Sequence, residues 1–165
     1  MLRALTLGDM EPIRKWRNES LDTLRTPFPL TMEQQEDWYR NEICNRASRS
    51  RFWAVETDIG GTQTLIGYGG IENIQWENRI GEISLLIDPT RRGKKYGSVA
   101  AVEIIRAAFD RLNLKTVYAE CYESNPATWF WRRVFEMFHG TETRMPNRKY
   151  LGGKYYGSIY LSASV

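Results

Sequence analysis

The chain has 165 residues, 42% of them hydrophobic, which is enough for one packed core, so we expect residues 1–165 to form a single domain. Its 23 basic and 20 acidic residues leave a net charge of only +3, which favours an anionic ligand but lacks the basic stripe of a nucleic-acid-binding protein. Cys44, Cys121 and the single histidine, His139, are too few for a disulfide framework, a metal site or a histidine-dependent triad, so we expect no metal.

The N-terminal third predicts one short strand and two helices. Leu2 to Leu7 is typical of an opening strand, and Asp9 is suited to cap a first helix. Pro27 and Pro29 then break the chain, and Thr31 opens a second helix. The same region has no apolar run of signal-peptide length, and no segment of the chain nears the roughly 18 apolar residues of a membrane span. We therefore expect a cytoplasmic protein that does not enter membranes.

Antiparallel strands follow, and then alternating helices and strands. Phe52–Glu56 and Thr64–Tyr68 are predicted to form a hairpin around Gly60-Gly61, and Glu82–Asp88 forms a further strand ended by Pro89. A long helix is then marked by the apolar residues Val102, Ile105, Phe109 and Leu112. A strand at Thr116–Cys121 and a helix opened by Asn125-Pro126 follow. The chain ends in a terminal strand in which Lys154–Tyr156 pairs with Ser158–Leu161. This order predicts a mixed α/β domain built around one sheet.

The turn between Asp88 and the long helix is predicted to bind an anion. The first backbone N–H groups of a helix have no partner within the helix, and its dipole adds partial positive charge there. Glycines let a phosphate approach these donors, and basic side chains add charge. The turn contains Arg91, Arg92, Gly93, Lys94, Lys95, Tyr96, Gly97 and Ser98. A solvated basic loop would show the same residues, because one glycine-containing turn is a weak motif.

This turn resembles the coenzyme A pyrophosphate loop of the GNAT acetyltransferase superfamily, whose pattern is Arg/Gln-x-x-Gly-x-Gly/Ala. Arg92 takes the first position and Gly97 the last, while Lys95 stands where the family usually has its first glycine. Asp88-Pro89 before the loop and the start Asn125-Pro126-Ala127-Thr128 of the last helix are also similar to the family. Trp16-Arg17-Asn18 and Gly153-Lys154-Tyr155-Tyr156 are similar to a subset that acetylates ribosomal-protein N-termini or nucleotide-linked amino sugars, although Gly157 replaces that subset's usual Asp.

The resemblance implies a single-domain α/β fold with a mixed, mostly antiparallel seven-stranded sheet, splayed between the fourth and fifth strands and flanked by about four helices. Acetyl-CoA, the implied cosubstrate, would lie in the splay and pair with backbone groups near Leu86 and Ile87. The amides from Arg92 to Ser98 would hold its pyrophosphate. Asn125 would form a hydrogen bond with the pantetheine arm or with an ordered water.

The implied chemistry is direct attack by an amine on the thioester, without a covalent enzyme intermediate. An alkyl amine is mostly protonated near neutral pH, so the site needs a base. Glu120 is the first candidate and Glu82 the second; Ser84 could relay a proton through water. Many relatives carry a tyrosine acid where this chain has Arg132, which could only stabilise a thiolate by charge. The nearby candidate acids are the phenols of Tyr122, Tyr155 and Tyr156, and the absence of a dedicated acid is the alternative.

The acceptor is expected between the first two helices and the last strands. The candidate residues there are Arg17, Asn18, Arg25, Trp38, Arg148 and Lys149. Arg17 and Arg25 suit the phosphates of a nucleotide-linked amino sugar. A protein N-terminal amine remains an alternative acceptor, and an acyl-CoA-binding protein without catalysis remains an alternative function. Three consecutive aromatic residues, Trp129-Phe130-Trp131, cannot all face one core, so one is expected to be exposed and a homodimer contact is possible there.

Overall fold

The computed structural model describes residues 1–165 as seven strands and four helices, together with short helical turns. The strands are β1 (Leu2–Ala4), β2 (Arg51–Ile59), β3 (Thr62–Gln75), β4 (Ile80–Ile87), β5 (Thr116–Tyr122), β6 (Thr141–Leu151) and β7 (Lys154–Ser164). The helices are α1 (Met10–Asn18), α2 (Met32–Trp38), α3 (Tyr96–Asp110) and α4 (Thr128–Glu136). None of the helices is both long and apolar enough to cross a bilayer.

All strands lie in one sheet in the order β1-β2-β3-β4-β5-β7-β6, and only β4 and β5 run parallel. These two strands pair only between Ile80–Glu82 and Thr116–Tyr118. Beyond those three residue pairs, β4 continues to Ile87 and β5 to Tyr122 without pairing to each other. The sheet is therefore splayed between its fourth and fifth strands, and the predicted fold class is confirmed.

The two faces of the sheet differ in character. Val117, Ala119 and Cys121 of β5 are buried in the main core with residues of α3 and α4. Because side chains alternate along a strand, Tyr118, Glu120 and Tyr122 project from the opposite face. That face is covered by α1 and α2 beside β3, through a second cluster that includes Met10, Ile13, Tyr68 and Leu86. We call its part beside the splay the polar face.

The second helix begins as the sequence predicts. The Thr31 hydroxyl accepts a hydrogen bond from the Gln34 amide at 3.3 Å, and the Gln34 side chain accepts one from the Thr31 amide at 3.0 Å. This reciprocal capping box satisfies two amides that the helix leaves free. A π-helical turn, Tyr39–Ile43, then extends α2.

Two boundaries near the termini were wrong. The opening strand ends at Ala4 rather than Leu7, because the Asp9 carboxylate accepts the Thr6 amide at 2.8 Å and draws the chain into a turn. The last helix begins at Thr128 rather than at Asn125, because the Asn125 side chain accepts the Ala127 amide at 2.9 Å in a preceding turn.

The predicted pairing at the C-terminus was also wrong. Lys154–Tyr156 and Ser158–Leu161 lie on one continuous strand, β7, and its first residues pair with Lys149–Leu151 of β6. The pattern concealed β6 because this edge strand is almost wholly exposed, so its side chains show no apolar alternation. A register shift between Met145 and Lys149, around Pro146, interrupts it further.

Candidate active site

The turn before α3 presents a row of free backbone donors. The amides of the six residues Arg92 to Gly97 donate to no acceptor within the protein. They lead into a helix of 15 residues, whose dipole adds partial positive charge at this end. Arg92 folds back, donating to the Ile87 carbonyl at 3.3 Å and to the Ser20 hydroxyl at 2.8 Å, and so braces the turn against the end of β4.

Lys95 adopts the backbone conformation that a glycine would take. Its φ of 65° and ψ of 0° place it in the left-handed region, and Gly93 has φ of 78°. A lysine at the position where the GNAT motif has glycine therefore keeps the loop's path and bears the steric cost of its Cβ.

The edge of β4 beyond Glu82 offers further backbone groups. The Asp88 amide donates to the Ile66 carbonyl of β3 at 2.9 Å. Because hydrogen bonding alternates along an antiparallel ladder, the backbone groups of Leu85 and Ile87 point to the other side, into the splay. An extended pantetheine arm can pair with such an edge, and a diphosphate can accept from the amides of the turn. The residues present thus fit acetyl-CoA.

Three carboxylates lie together on the polar face, beside the point where β4 and β5 separate: Glu72 of β3, Glu82 of β4 and Glu120 of β5. The Arg25 guanidinium bridges two of them, pairing with Glu82 and lying 3.3 Å from Glu120. Glu120 also accepts from Arg148 at 2.8 Å and from the Ser158 hydroxyl at 2.8 Å. Two carboxylates and two arginines that lie far apart in the sequence thereby form one network.

The network has an acidic floor and a basic mouth. The side chains of Glu82 and Glu120 are 7% and 5% exposed, whereas those of Arg25 and Arg148 are 46% and 47% exposed. A ligand entering from solvent therefore meets guanidinium groups before it reaches carboxylates.

The pKa values of Glu120 and Glu72 are shifted in opposite directions. Burial acts to raise the pKa of Glu120, but hydrogen bonds from Arg148 and Ser158 and the nearby Arg25 charge outweigh it and hold that pKa below its ordinary value. The pKa of Glu72 is raised, first by burial and then by the charge of Glu82.

The loop that carries Arg25 is tied down on both sides. The Asn18 side chain accepts the Leu30 amide at 2.8 Å and donates to the Leu30 carbonyl at 3.0 Å, which closes the base of the loop. The Lys149 ammonium donates to the carbonyls of Asp22 and Leu24 at 2.8 and 2.6 Å. Arg25 is thus held over the carboxylates by backbone contacts as well as by its own charge.

The other predicted acceptor and acid residues are spread around this network. Arg17 lies near Tyr68 and Glu72; burial raises the pKa of both groups, and the charge of Arg17 opposes part of that rise. Trp38 packs edge-on against Phe52 and Tyr68, with ring centroids 5.2 and 5.8 Å from its own, in the apolar cluster that joins α2 to the sheet. Tyr156 lies on β7 beneath the Lys154 ammonium, 4.7 Å from its ring centroid.

Two predicted cofactor contacts are engaged elsewhere. Arg132 makes a two-pronged hydrogen bond to Glu142 of β6 at 2.7 and 2.8 Å and is exposed. Asn125 uses its side-chain oxygen to cap the turn before α4. Each side chain would have to break this contact before it could bind coenzyme A.

Sequence reasoning missed Glu72 and Ser158. Glu72 follows Gly67, Gly69 and Gly70, which depress strand propensity, so the predicted strand stopped at Tyr68. The available signal was a charged residue between the apolar Ile71 and Ile74. Ser158 is fully buried, and its role depends on a cross-strand neighbour that lies far away in the chain.

The cysteines do not provide a nucleophile at this site. Cys121 is buried on the opposite, apolar face of β5, and burial raises the pKa of its thiol to about 11. Cys44 is exposed after the α2 extension. The polar face therefore suits transfer by direct attack rather than through an enzyme thioester.

A splayed mixed sheet, free amides at the start of α3 and a polar acceptor face together define an acyl-CoA-dependent acyltransferase. The profile of the acetyltransferase (GNAT) domain family matches residues 1–136, so the chain belongs to the GNAT family. It is an acetyl-CoA-dependent N-acetyltransferase.

Solved structures support the fold assignment. Spermidine N-acetyltransferase from Vibrio cholerae in complex with CoA and spermine superimposes with a TM-score of 0.86 at 21% identity, covering 99% of this chain and 94% of that one. Mutant forms of the spermidine/spermine N-acetyltransferase from the same organism give a TM-score of 0.83 at 22% identity, covering 99% and 92%. No curated protein matches the sequence significantly.

Proposed function

We propose that this enzyme acetylates the primary amine of a small acceptor that carries negative charge at some distance from that amine, as a nucleotide-linked amino sugar does. The observation that carries the proposal is the polarity of the site, which is acidic at its floor and basic at its mouth. An ammonium group suits the buried carboxylates, and a diphosphate suits the exposed guanidiniums of Arg25 and Arg148.

The same polarity disfavours a polycation. A polyamine carries positive charge along its whole length, so part of it would lie beside the arginines at the mouth. The similarity to spermidine N-acetyltransferases, at 20–22% identity, concerns the fold. Within the site, Arg17, Arg25 and Arg148 balance the three glutamates.

The residues divide the work of the transfer. The amides of Arg92 to Gly97 hold the diphosphate of the donor, and the edge of β4 orients the pantetheine arm. A backbone N–H of this edge, at Leu85 or Ile87, stabilises the oxyanion that forms on the thioester carbonyl. The carboxylates of the polar face hold the amine and remove its proton.

An acceptor panel tests the proposal. Coenzyme A release is measured with a nucleoside-diphosphate-linked amino sugar, the same amino sugar without its nucleotide, spermidine, and short peptides with free N-termini. We expect the highest kcat/KM for the nucleotide-linked sugar, and a loss of about tenfold or more in Arg148→Gln for that acceptor alone, since a charged hydrogen bond contributes about 1.5–3 kcal/mol. A preference for spermidine or a peptide would overturn the proposed acceptor class. Failure to bind acetyl-CoA would overturn the proposed donor site.

A further inference from the structure

Glu72 differs from the other two carboxylates of the polar face in having no ion-pair partner. Glu82 is paired with Arg25 and accepts a hydrogen bond from Asn73 at 3.1 Å, and Glu120 is paired with Arg25 and Arg148. The Ser84 hydroxyl of β4 is a neighbouring polar group that acts to lower the pKa of Glu72. Arginine side chains thus occupy Glu82 and Glu120, whereas none forms an ion pair with Glu72.

The position of Glu72 is set by the point at which the sheet opens. Glu72 faces Glu82 across β3 and β4, and Glu82 faces Tyr118 in the last pair before the splay. Ser84 is paired with Gly70, so it is a diagonal neighbour of Glu72 on the same face of the sheet. Neighbouring strands lie about 4.8 Å apart, and only β4 separates Glu72 from the edge of the splay.

The backbone of β3 changes conformation directly after Glu72. Residue 73, which follows Glu72, has φ of 54° at the irregularity that separates the Glu72 and Gln75 pairings. The strand thus changes course directly after Glu72, and Asn73 can turn its amide to Glu82.

We propose that Glu72 is the general base of the acetyl transfer, and that the Ser84 hydroxyl positions its carboxylate. This proposal rests on the proposed function, because it concerns the same amine at the same site. It replaces Glu120 and Glu82 as the proton acceptor and gives them the task of holding Arg25 and the incoming ammonium group.

The proton balance of the step is simple. The Glu72 carboxylate takes one proton from the ammonium group, and the neutral nitrogen attacks the thioester carbonyl carbon. The new N–C bond forms and the C–S bond breaks, with the coenzyme leaving as a thiolate. The nitrogen's excess proton neutralises the thiolate, and Glu72 returns its own proton to solvent, so one proton is released per acetyl group transferred.

The surroundings of Glu72 favour this role. A base works best when its pKa lies near the working pH, which for a carboxyl requires an upward shift. Burial and the Glu82 charge raise the pKa of Glu72, while Arg25 from the loop, Arg17 from α1 and the Ser84 hydroxyl moderate the rise. Tyr68 of the same strand is buried with a raised pKa, so it stays neutral beside the carboxylate.

The kinetic test uses Glu72→Gln, the conservative Glu72→Asp, and Glu77→Gln as a matched control at an exposed turn residue. With the best acceptor of the panel, we expect Glu72→Gln to lower kcat by about 100-fold or more and to remove the acidic limb of the pH profile. The Kd for acetyl-CoA stays unchanged, Glu72→Asp recovers part of kcat, and Glu77→Gln behaves as the unmodified enzyme. An unchanged kcat or an unchanged acidic limb in Glu72→Gln overturns the assignment.

A second measurement needs no acceptor. Carboxyl carbon resonances of protein labelled at glutamate are followed against pH, and the Glu72 signal is identified by its loss in Glu72→Gln. We expect it to titrate above the other glutamates. Titration at or below the ordinary value excludes Glu72 as the base even if no acceptor of the panel is turned over, so failure of this inference is distinguished from failure of the proposed function.

Discussion

Replacing Lys95 separates the two contributions that this residue makes to the turn before α3. Lys95 holds φ of 65°, a conformation that costs an L-residue about 1–2 kcal/mol and costs glycine almost nothing. Lys95→Gly removes this strain, and Lys95→Ala keeps it while removing the same charge. Glycine also gives the unfolded chain more conformational freedom, which lowers the free energy of unfolding by about 0.4–1 kcal/mol and so offsets part of this gain.

The expected difference is that Lys95→Gly is more stable than Lys95→Ala by about 1 kcal/mol, equivalent to about 2–4 °C in Tm for a chain of this size. Both variants lose the ammonium group, so both should bind acetyl-CoA more weakly and by a similar factor. Thermal unfolding and calorimetric titration with acetyl-CoA supply the two readouts. Equal stability of the two variants would refute the left-handed backbone at residue 95, and unequal affinities would show that the backbone, rather than the charge, controls the donor site.

Two further predictions concern the start of the chain and the first turn of α3. Asp9→Asn should lower stability by about 1–3 kcal/mol, because the buried carboxylate accepts from Arg3 at 2.7 and 2.8 Å and from the Thr6 amide. The pKa of Asp9 is lower in the folded state than in the unfolded chain. The stability that the carboxylate contributes is therefore present above the pKa of the unfolded chain and is lost on acidification. In thermal melts at a series of pH values, the difference in Tm between Asp9→Asn and the unmodified enzyme should close at low pH. Gly97→Leu should weaken acetyl-CoA binding sharply, because a Cβ at residue 97 would already lie 3.4 Å from Phe130. Gly97→Ala should bind acetyl-CoA almost normally. Equal affinities of the two variants in titration calorimetry would show that this part of the turn is not in the donor site.

Local signals were enough to predict the elements that depend on local chemistry. Thr31 and Gln34 form their capping box within one turn of helix, and the periodic apolar residues of α3 specify the helix they occupy. The free amides of the turn before α3 were predictable for the same reason, since the first amides of a helix have no partner within it. Even the substitution of Lys95 for glycine did not divert the backbone.

The acceptor side depended on contacts between distant residues and was predicted less completely. Arg25 was expected to bind phosphate, and the structure shows it paired with Glu82 and Glu120, 57 and 95 residues away in the chain. The lowered pKa of Glu120 and the raised pKa of Glu72 arise from the same network. No window of sequence contains both partners of these interactions, so periodicity and motif spacing could not reveal which carboxylate is free.

The three residue pairs that join β4 to β5 carry a consequence for how the enzyme keeps its shape during turnover. The two halves of the sheet are continuous only at one end, and a donor molecule that paired along β4, as proposed above, would act as a temporary eighth strand. Such a donor would also stabilise the folded enzyme, since a ligand that binds only the folded form stabilises it by mass action. The resistance of the enzyme to unfolding would then depend on the supply of its own substrate.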